Sequence, residues 1–178
     1  MVLADRDIRT AVHEEHPANH QLVIKPWREE NLQPSGYDLT LSDEFLLWKY
    51  PCIITPNGAD IESLMERVTQ HWLTLNPGDF VLGCSREYIE MPIDLCGEVH
   101  MRSSMWRLGI GGSGYIDPGF KGQITLEIKN HSQNTIMISS GERIAQIVFE
   151  NLCCEPEKPY QGRYLGQRGP QPSRLWSK

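Results

Sequence analysis

Between Arg102 and Asn130 the chain concentrates residue types that bind anions and move protons. Arg102 and Arg107 supply permanent positive charge in a planar fork that matches phosphate oxygens. Ser103 and Ser104 add two hydroxyls. Gly109, Gly111, Gly112 and Gly114 follow, giving backbone that a ligand can approach closely and N–H groups that can face an anion. Asp117 precedes Pro118-Gly119, a turn dipeptide. Glu127 lies in an alternating run: Ile124, Leu126 and Ile128 fall on one face, Gln123, Thr125 and Glu127 on the other. A carboxylate on the polar face of such a strand can serve as a general base. Each piece taken singly has an ordinary explanation: a surface turn for Arg-Ser-Ser, a turn aspartate, a solvated strand glutamate. The order in which they occur points instead to one pocket holding two carboxylates and two arginines. The glycine run lacks the strand-to-helix context of a dinucleotide fingerprint, and no Walker lysine follows it.

These residues must be carried by short strands. Segments 22–24, 37–41, 45–48, 72–75, 80–84, 98–101, 135–138 and 144–149 read as strands, separated by Gly and Pro turns. A short helix is expected over Arg6 to His13, capped by Asp5 and ended by Pro17. A second helix is expected over Asp60 to His71, because Ile61, Leu64, Met65 and Val68 fall at helical spacing. The fold class is therefore all-β with small helices, arranged as a β-barrel or jelly roll. Residues 1–155 form the expected body. Residues 156–178, with four of the twelve prolines, form an arm. Alone it reads as flexible, but its Tyr160, Arg163, Tyr164, Gln167 and Arg168 also suit a lid over a nucleotide.

Composition narrows the classes. The hydrophobic share is 39%, the charged share 22% and the net charge −6, as in an ordinary soluble domain and unlike a nucleic-acid binder with a basic face. No apolar run approaches the roughly 20 residues of a membrane span, and the first residues carry no signal-peptide core. The expected location is cytoplasmic. Five cysteines, two of them adjacent, argue against a disulfide framework. There is no CxxC, and His13-Glu14-Glu15-His16 fits neither the zinc-deaminase pattern nor HExxH, so it reads as a solvated helix end. Any chemistry of this chain is expected to proceed without zinc.

Taken together the motifs resemble the dCTP deaminase and trimeric dUTPase superfamily. The matching residues are Arg102-Ser103-Ser104, Arg107, the run Gly114 to Phe120, Gly122, Ile124 to Glu127, Gly141 to Gln146, and the tail Pro159 to Arg174. Gln33 to Leu41 and Leu75 to Gly83 are also similar to family segments. The resemblance implies a distorted jelly-roll-like β-barrel of the dUTPase type, a homotrimer with sites between subunits. It implies that Arg102 and Ser104 bind phosphates, that Asp117 takes the deoxyribose 3′-hydroxyl, and that the Tyr115-Ile116 backbone reads the pyrimidine. Glu127 would be the base in deamination, with Ser103 and Arg107 ordering the water. Gln146 matches a dUTPase position, and Tyr160, Arg163 and Gln167 would come from the closing tail. Mg²⁺ would ride on the triphosphate rather than on protein ligands.

The implied activity is dCTP deamination continued to dUMP, since Gly114-Tyr115-Ile116-Asp117 and the tail resemble the bifunctional branch. A deaminase stopping at dUTP, a plain dUTPase and a nucleotide-binding regulatory barrel are the alternatives. The link from Leu108 to Gly114 is shorter than the family's and lacks its His-x-Thr element. That shortening is expected to leave room beside C5 of the base and to admit 5-substituted dCTP.

Overall fold

The computed structural model describes residues 1–17, 19–51, 53–55 and 61–175. Three antiparallel sheets share one core. The largest is built from β1 (Val23–Lys25), β4 (Glu44–Trp48), β5 (Met65–Thr69), β7 (Phe80–Glu90), β9 (Ile110–Gly111) and β11 (Lys121–Asn130). Its order is β5-β4-β7-β11-β9, with β1 also pairing β7. A five-stranded sheet takes β2 (Leu32–Gln33), β3 (Gly36–Thr40), β8 (Leu95–Met101), β10 (Ser113–Ile116) and β13 (Arg143–Asn151) in the order β10-β8-β13-β3-β2. β6 (Trp72–Leu75) and β12 (Ile136–Ser139) form a separate pair.

Period-two patterning explains the packing. Along β11 the even positions from Gly122 to Asn130 are buried and the odd ones are not. Ile124, Leu126 and Ile128 of one sheet meet Tyr37, Leu39, Ile147 and Phe149 of the other in a single buried cluster, which Leu73, Leu75 and Ile138 of the third sheet join. Such side chains contribute roughly 1.5–3 kcal/mol each by leaving water.

The sheets do not close into the expected barrel. Among the described residues β5 and β9 end one sheet, and β10 and β2 end the other. The ladder is interrupted where the chain leaves β9 after two residues and re-enters the other sheet as β10.

Two small α-helices accompany the sheets. α1 (Asp5–His13) begins one residue earlier than expected, and the N-cap is Ala4, whose N–H donates to Asp7 Oδ2 at 3.2 Å. His13 and Glu14 end this helix, and His16 reaches the Thr10 carbonyl, so the acid-histidine run is indeed a helix end. α2 (Ser103–Leu108) is described below.

The helix expected over Asp60 to His71 is absent, although Asp60 itself lies outside the described residues. A single 3-10 turn, Glu62–Leu64, leads into β5. All five β5 residues pair with β4, from Glu44↔Thr69 to Trp48↔Met65. The apolar spacing serves another purpose: Ile61 and Met65 pack with Leu46 and Leu82 in a small second cluster. Pairing with a strand distant in sequence overrode the local helical period.

Candidate active site

α2 ends on Gly109, whose φ of +87° is the left-handed conformation that glycine tolerates. The chain then pairs with β11 as β9, through Lys129↔Gly111 and Asn130↔Ile110. It crosses at Gly112 and continues as β10 against β8. At the crossing the backbones touch: a Cβ on Gly112 would lie 2.1 Å from the Glu127 carbonyl oxygen. The glycine-rich run is thus a strand switch that fixes Glu127 beside β10.

A cavity of about 700 Å³ opens there, within the roughly 300–1,000 Å³ of small-molecule sites. Tyr115, Ile116 and Asp117 line one wall, Thr125 and Glu127 the floor, and Tyr160 and Gln167 the cover. Asp117 is held by its turn, where the Phe120 N–H donates to the Asp117 carbonyl at 3.1 Å and Gly119 has φ +83°. The arm docks on the polar edge of β11. Gln167 Nε2 donates to the Gln123 carbonyl at 2.6 Å, and the Gln123 N–H donates to the Gln167 carbonyl at 3.0 Å. The Gln171 N–H donates to Thr125 Oγ1 at 3.1 Å, and the Tyr160 N–H to the Pro118 carbonyl at 2.8 Å. Arg163 does not line the cavity; its guanidinium donates to the carbonyls of Arg174 and Leu175.

Among the described residues no cation lies beside Glu127. Solvent reaches it from the cavity, yet loss of hydration against the walls pushes its carboxyl above the usual range, with its own backbone N–H pulling the other way. Tyr115 is pushed up to about 12, first by its hydrogen bond with the Cys96 thiol and then by desolvation.

A second polar centre lies on the five-stranded sheet, away from that cavity's lining. Asp38 of β3 is 1% exposed. Arg102 Nε and Arg143 Nη1 approach its Oδ2 at 3.3 and 3.4 Å, and Gln146 Nε2 donates to its Oδ1 at 3.4 Å. The two ion pairs lack hydrogen-bond geometry, and Arg143 Nη1 donates instead to the Glu30 carbonyl at 2.6 Å. Arg102 Nη1 also donates to the Arg143 carbonyl at 3.1 Å. Burial pushes the Asp38 carboxyl up, while the two guanidiniums and then Gln146 pull it back.

The residues singled out from the sequence therefore fall into two groups. Tyr115, Ile116, Asp117, Glu127, Tyr160 and Gln167 share the cavity. Arg102 and Gln146 meet at Asp38. Ser103, Ser104 and Arg107 are exposed on α2 and do not line the cavity of their own chain. Sequence reasoning assigned no role to Asp38 or Arg143. The signal was the register Gln146↔Asp38, visible only once β3 and β13 are paired.

Among the described residues no three His, Cys, Asp or Glu side chains gather to hold a cation. Cys84, Cys96, Cys153 and Cys154 are free thiols that line no part of the cavity, and Cys52 lies outside the described residues. Among the described residues no helix is long and apolar enough to cross a membrane.

Sheet order and cavity define an enzyme-like pocket on a dUTPase-type β fold. The structure is similar to the 2′-deoxycytidine 5′-triphosphate deaminase of Agrobacterium tumefaciens, with a TM-score of 0.63 and 24% identity over 83% of this chain and 47% of that one. It is also similar to EIAV dUTPase, with a TM-score of 0.50 and 20% identity over 79% and 92%. A profile of the dCTP deaminase-like family matches residues 2–152, and the chain belongs to that family. It is 39% identical to the protein named dCTP deaminase, dUMP-forming, of Methanosphaera stadtmanae, over 98% of this chain and 93% of that protein. The same figures hold for the dUMP-forming protein of Methanothermobacter thermautotrophicus. Identity is 37% to the protein named dCTP deaminase of Natronomonas pharaonis, over 98% and 95%.

Proposed function

We propose that the protein hydrolyses dCTP to dUMP, ammonia and diphosphate. The observation that carries this reading is Glu127: a carboxylate with a raised pKa and no cation beside it, on the floor of a nucleotide-sized cavity, ten residues after Asp117. A base of that kind can take a proton from water attacking C4 and return it to the departing amine. The relatives named dUMP-forming support the coupled second step.

Two copies complete one site in this reading. Arg102, Ser103, Ser104 and Arg107 do not line their own chain's cavity, so they are assigned to the cavity of a neighbour in a homotrimer. There Arg102, Ser104 and Gln146 hold phosphates, while Ser103 and Arg107 order the water and the tetrahedral intermediate. Asp117 takes the sugar hydroxyl, and the Tyr115-Ile116 backbone reads the base edge. Residues 156–178 act as the cover, with Tyr160 and Gln167 over the nucleotide and Arg163 reaching it when a neighbour is present. Mg²⁺ arrives on the triphosphate and offsets the charge that develops during diphosphate release. Glu127 activates the water itself, so no zinc is needed. The glycine Cα of Gly114 faces open space within the cavity wall, which supports acceptance of a 5-methyl group.

The test is a product assay with dCTP and 5-methyl-dCTP in Mg²⁺, separated by anion exchange. dUMP and dTMP without free triphosphate products are expected. Accumulating dUTP would replace this reading with the deaminase that stops there, as the Natronomonas pharaonis relative is named. Hydrolysis of dUTP alone would make the protein a plain dUTPase, and binding without turnover a regulatory barrel.

A further inference from the structure

The cavity continues past Glu127 toward β4 and β5, and the continuation is lined by apolar side chains. β11 has β9 and the crossing into β10 on one edge, and β7, β4 and β5 on the other. Glu127 stands between them. Its cross-strand neighbour on β7 is Leu82, which pairs in turn with Leu46 of β4. Leu82, Met65, Trp48 and Ile61 line the cavity on this side, and they belong to a hydrophobic cluster separate from the main core.

If Glu127 serves the water and the amine at C4, as proposed above, the exocyclic nitrogen lies at Glu127, beside this chamber. Ammonia gains nothing from apolar walls. An alkyl group on that nitrogen leaves water for contact with Leu82 and Met65, worth roughly fourfold per methyl. We infer that the chamber is a leaving-group subsite, and that the protein also hydrolyses N4-alkylated deoxycytidine triphosphates, releasing the alkylamine. The step balances: water adds its oxygen to C4, and the C4–N4 bond breaks with its electron pair on nitrogen. One water proton leaves on the methylamine by way of Glu127. The other ends on N3 of the uracil.

The inference rests on the proposed deamination, and the experiment separates the two. dCTP and N4-methyl-dCTP are compared by kcat/KM, with methylamine and ammonia identified as released amines. N4-methyl-dCTP is expected to match or exceed dCTP, since a site with no methyl-sized space would impose about a 5- to 150-fold penalty. A deficit greater than about fivefold, with dCTP turned over normally, overturns the inference. No turnover of dCTP overturns the functional reading and this inference with it.

Met65→Phe fills the chamber. It is expected to lower the N4-methyl-dCTP to dCTP ratio by about tenfold while leaving dCTP turnover unchanged; an unchanged ratio in a folded variant overturns the subsite. Leu82→Ala enlarges the chamber and provides the second variant. It is expected to raise the ratio for N4-ethyl-dCTP, and a falling ratio counts against the assignment.

Discussion

Asp38 and Glu127 are both carboxylates pushed up by burial, on facing sheets, and they are surrounded in opposite ways. Asp38 is sealed from solvent by Arg102, Arg143 and Gln146. Glu127 opens on a cavity and, among the described residues, has only its own backbone N–H to favour its charge. Burial alone does not assign a role. A carboxylate flanked by two guanidiniums is a fixed anion that orients them, whereas one without a cation is free to take and return a proton.

The sharpest way to break this comparison is to remove each charge while keeping its shape. Glu127→Gln is expected to lower deamination by about 10²- to 10⁴-fold, read as ammonia release from dCTP, while dUTP hydrolysis persists. Equal loss of both activities would put Glu127 in phosphate chemistry. Asp38→Asn should act differently. It leaves two guanidiniums side by side without their shared anion, so KM for the triphosphate should rise more than kcat falls. A fall in kcat with KM unchanged would place Asp38 in the chemical step.

The smallest effect concerns pH. Glu127's pKa is raised in the folded state, so its favourable contribution is complete below the unfolded carboxylate value of about 4.3 and is lost as pH rises through the folded value. Glu127→Gln should therefore melt slightly above the parent protein at pH 8 and lose that advantage toward pH 4. In the parent, the acidic limb of kcat/KM should lie above the ordinary glutamate range, because only the ionised form accepts the proton. A limb at the ordinary value would mean that bound substrate and neighbouring subunits restore the lost hydration.

How much of this was legible depended on sequence distance. β11 could be read directly, since its alternation is local and its burial follows it. Asp117 and Glu127 lie on one turn-and-strand unit, so their shared cavity also followed from the sequence. The Asp38 centre did not, because its members sit on β3, at the end of β8 and on β13 and meet only through the register of the sheet. β5 was misread for the same reason: the residues that make Met65–Thr69 a strand belong to β4. One opening of the expected barrel lies between β9 and β10. Glycine at 112 lets the chain pass from one sheet to the other in contact with Glu127, which ends a ladder where a closed barrel would continue it.

The arm has a consequence for timing. It is held on β11 by Gln167 and Gln171, with the Gly166 N–H also on the Lys121 carbonyl at 2.6 Å. If the arm covers the nucleotide as proposed above, each turnover includes an undocking event whose frequency is set by those few bonds, and viscosity of the medium becomes a lever on the speed of the enzyme.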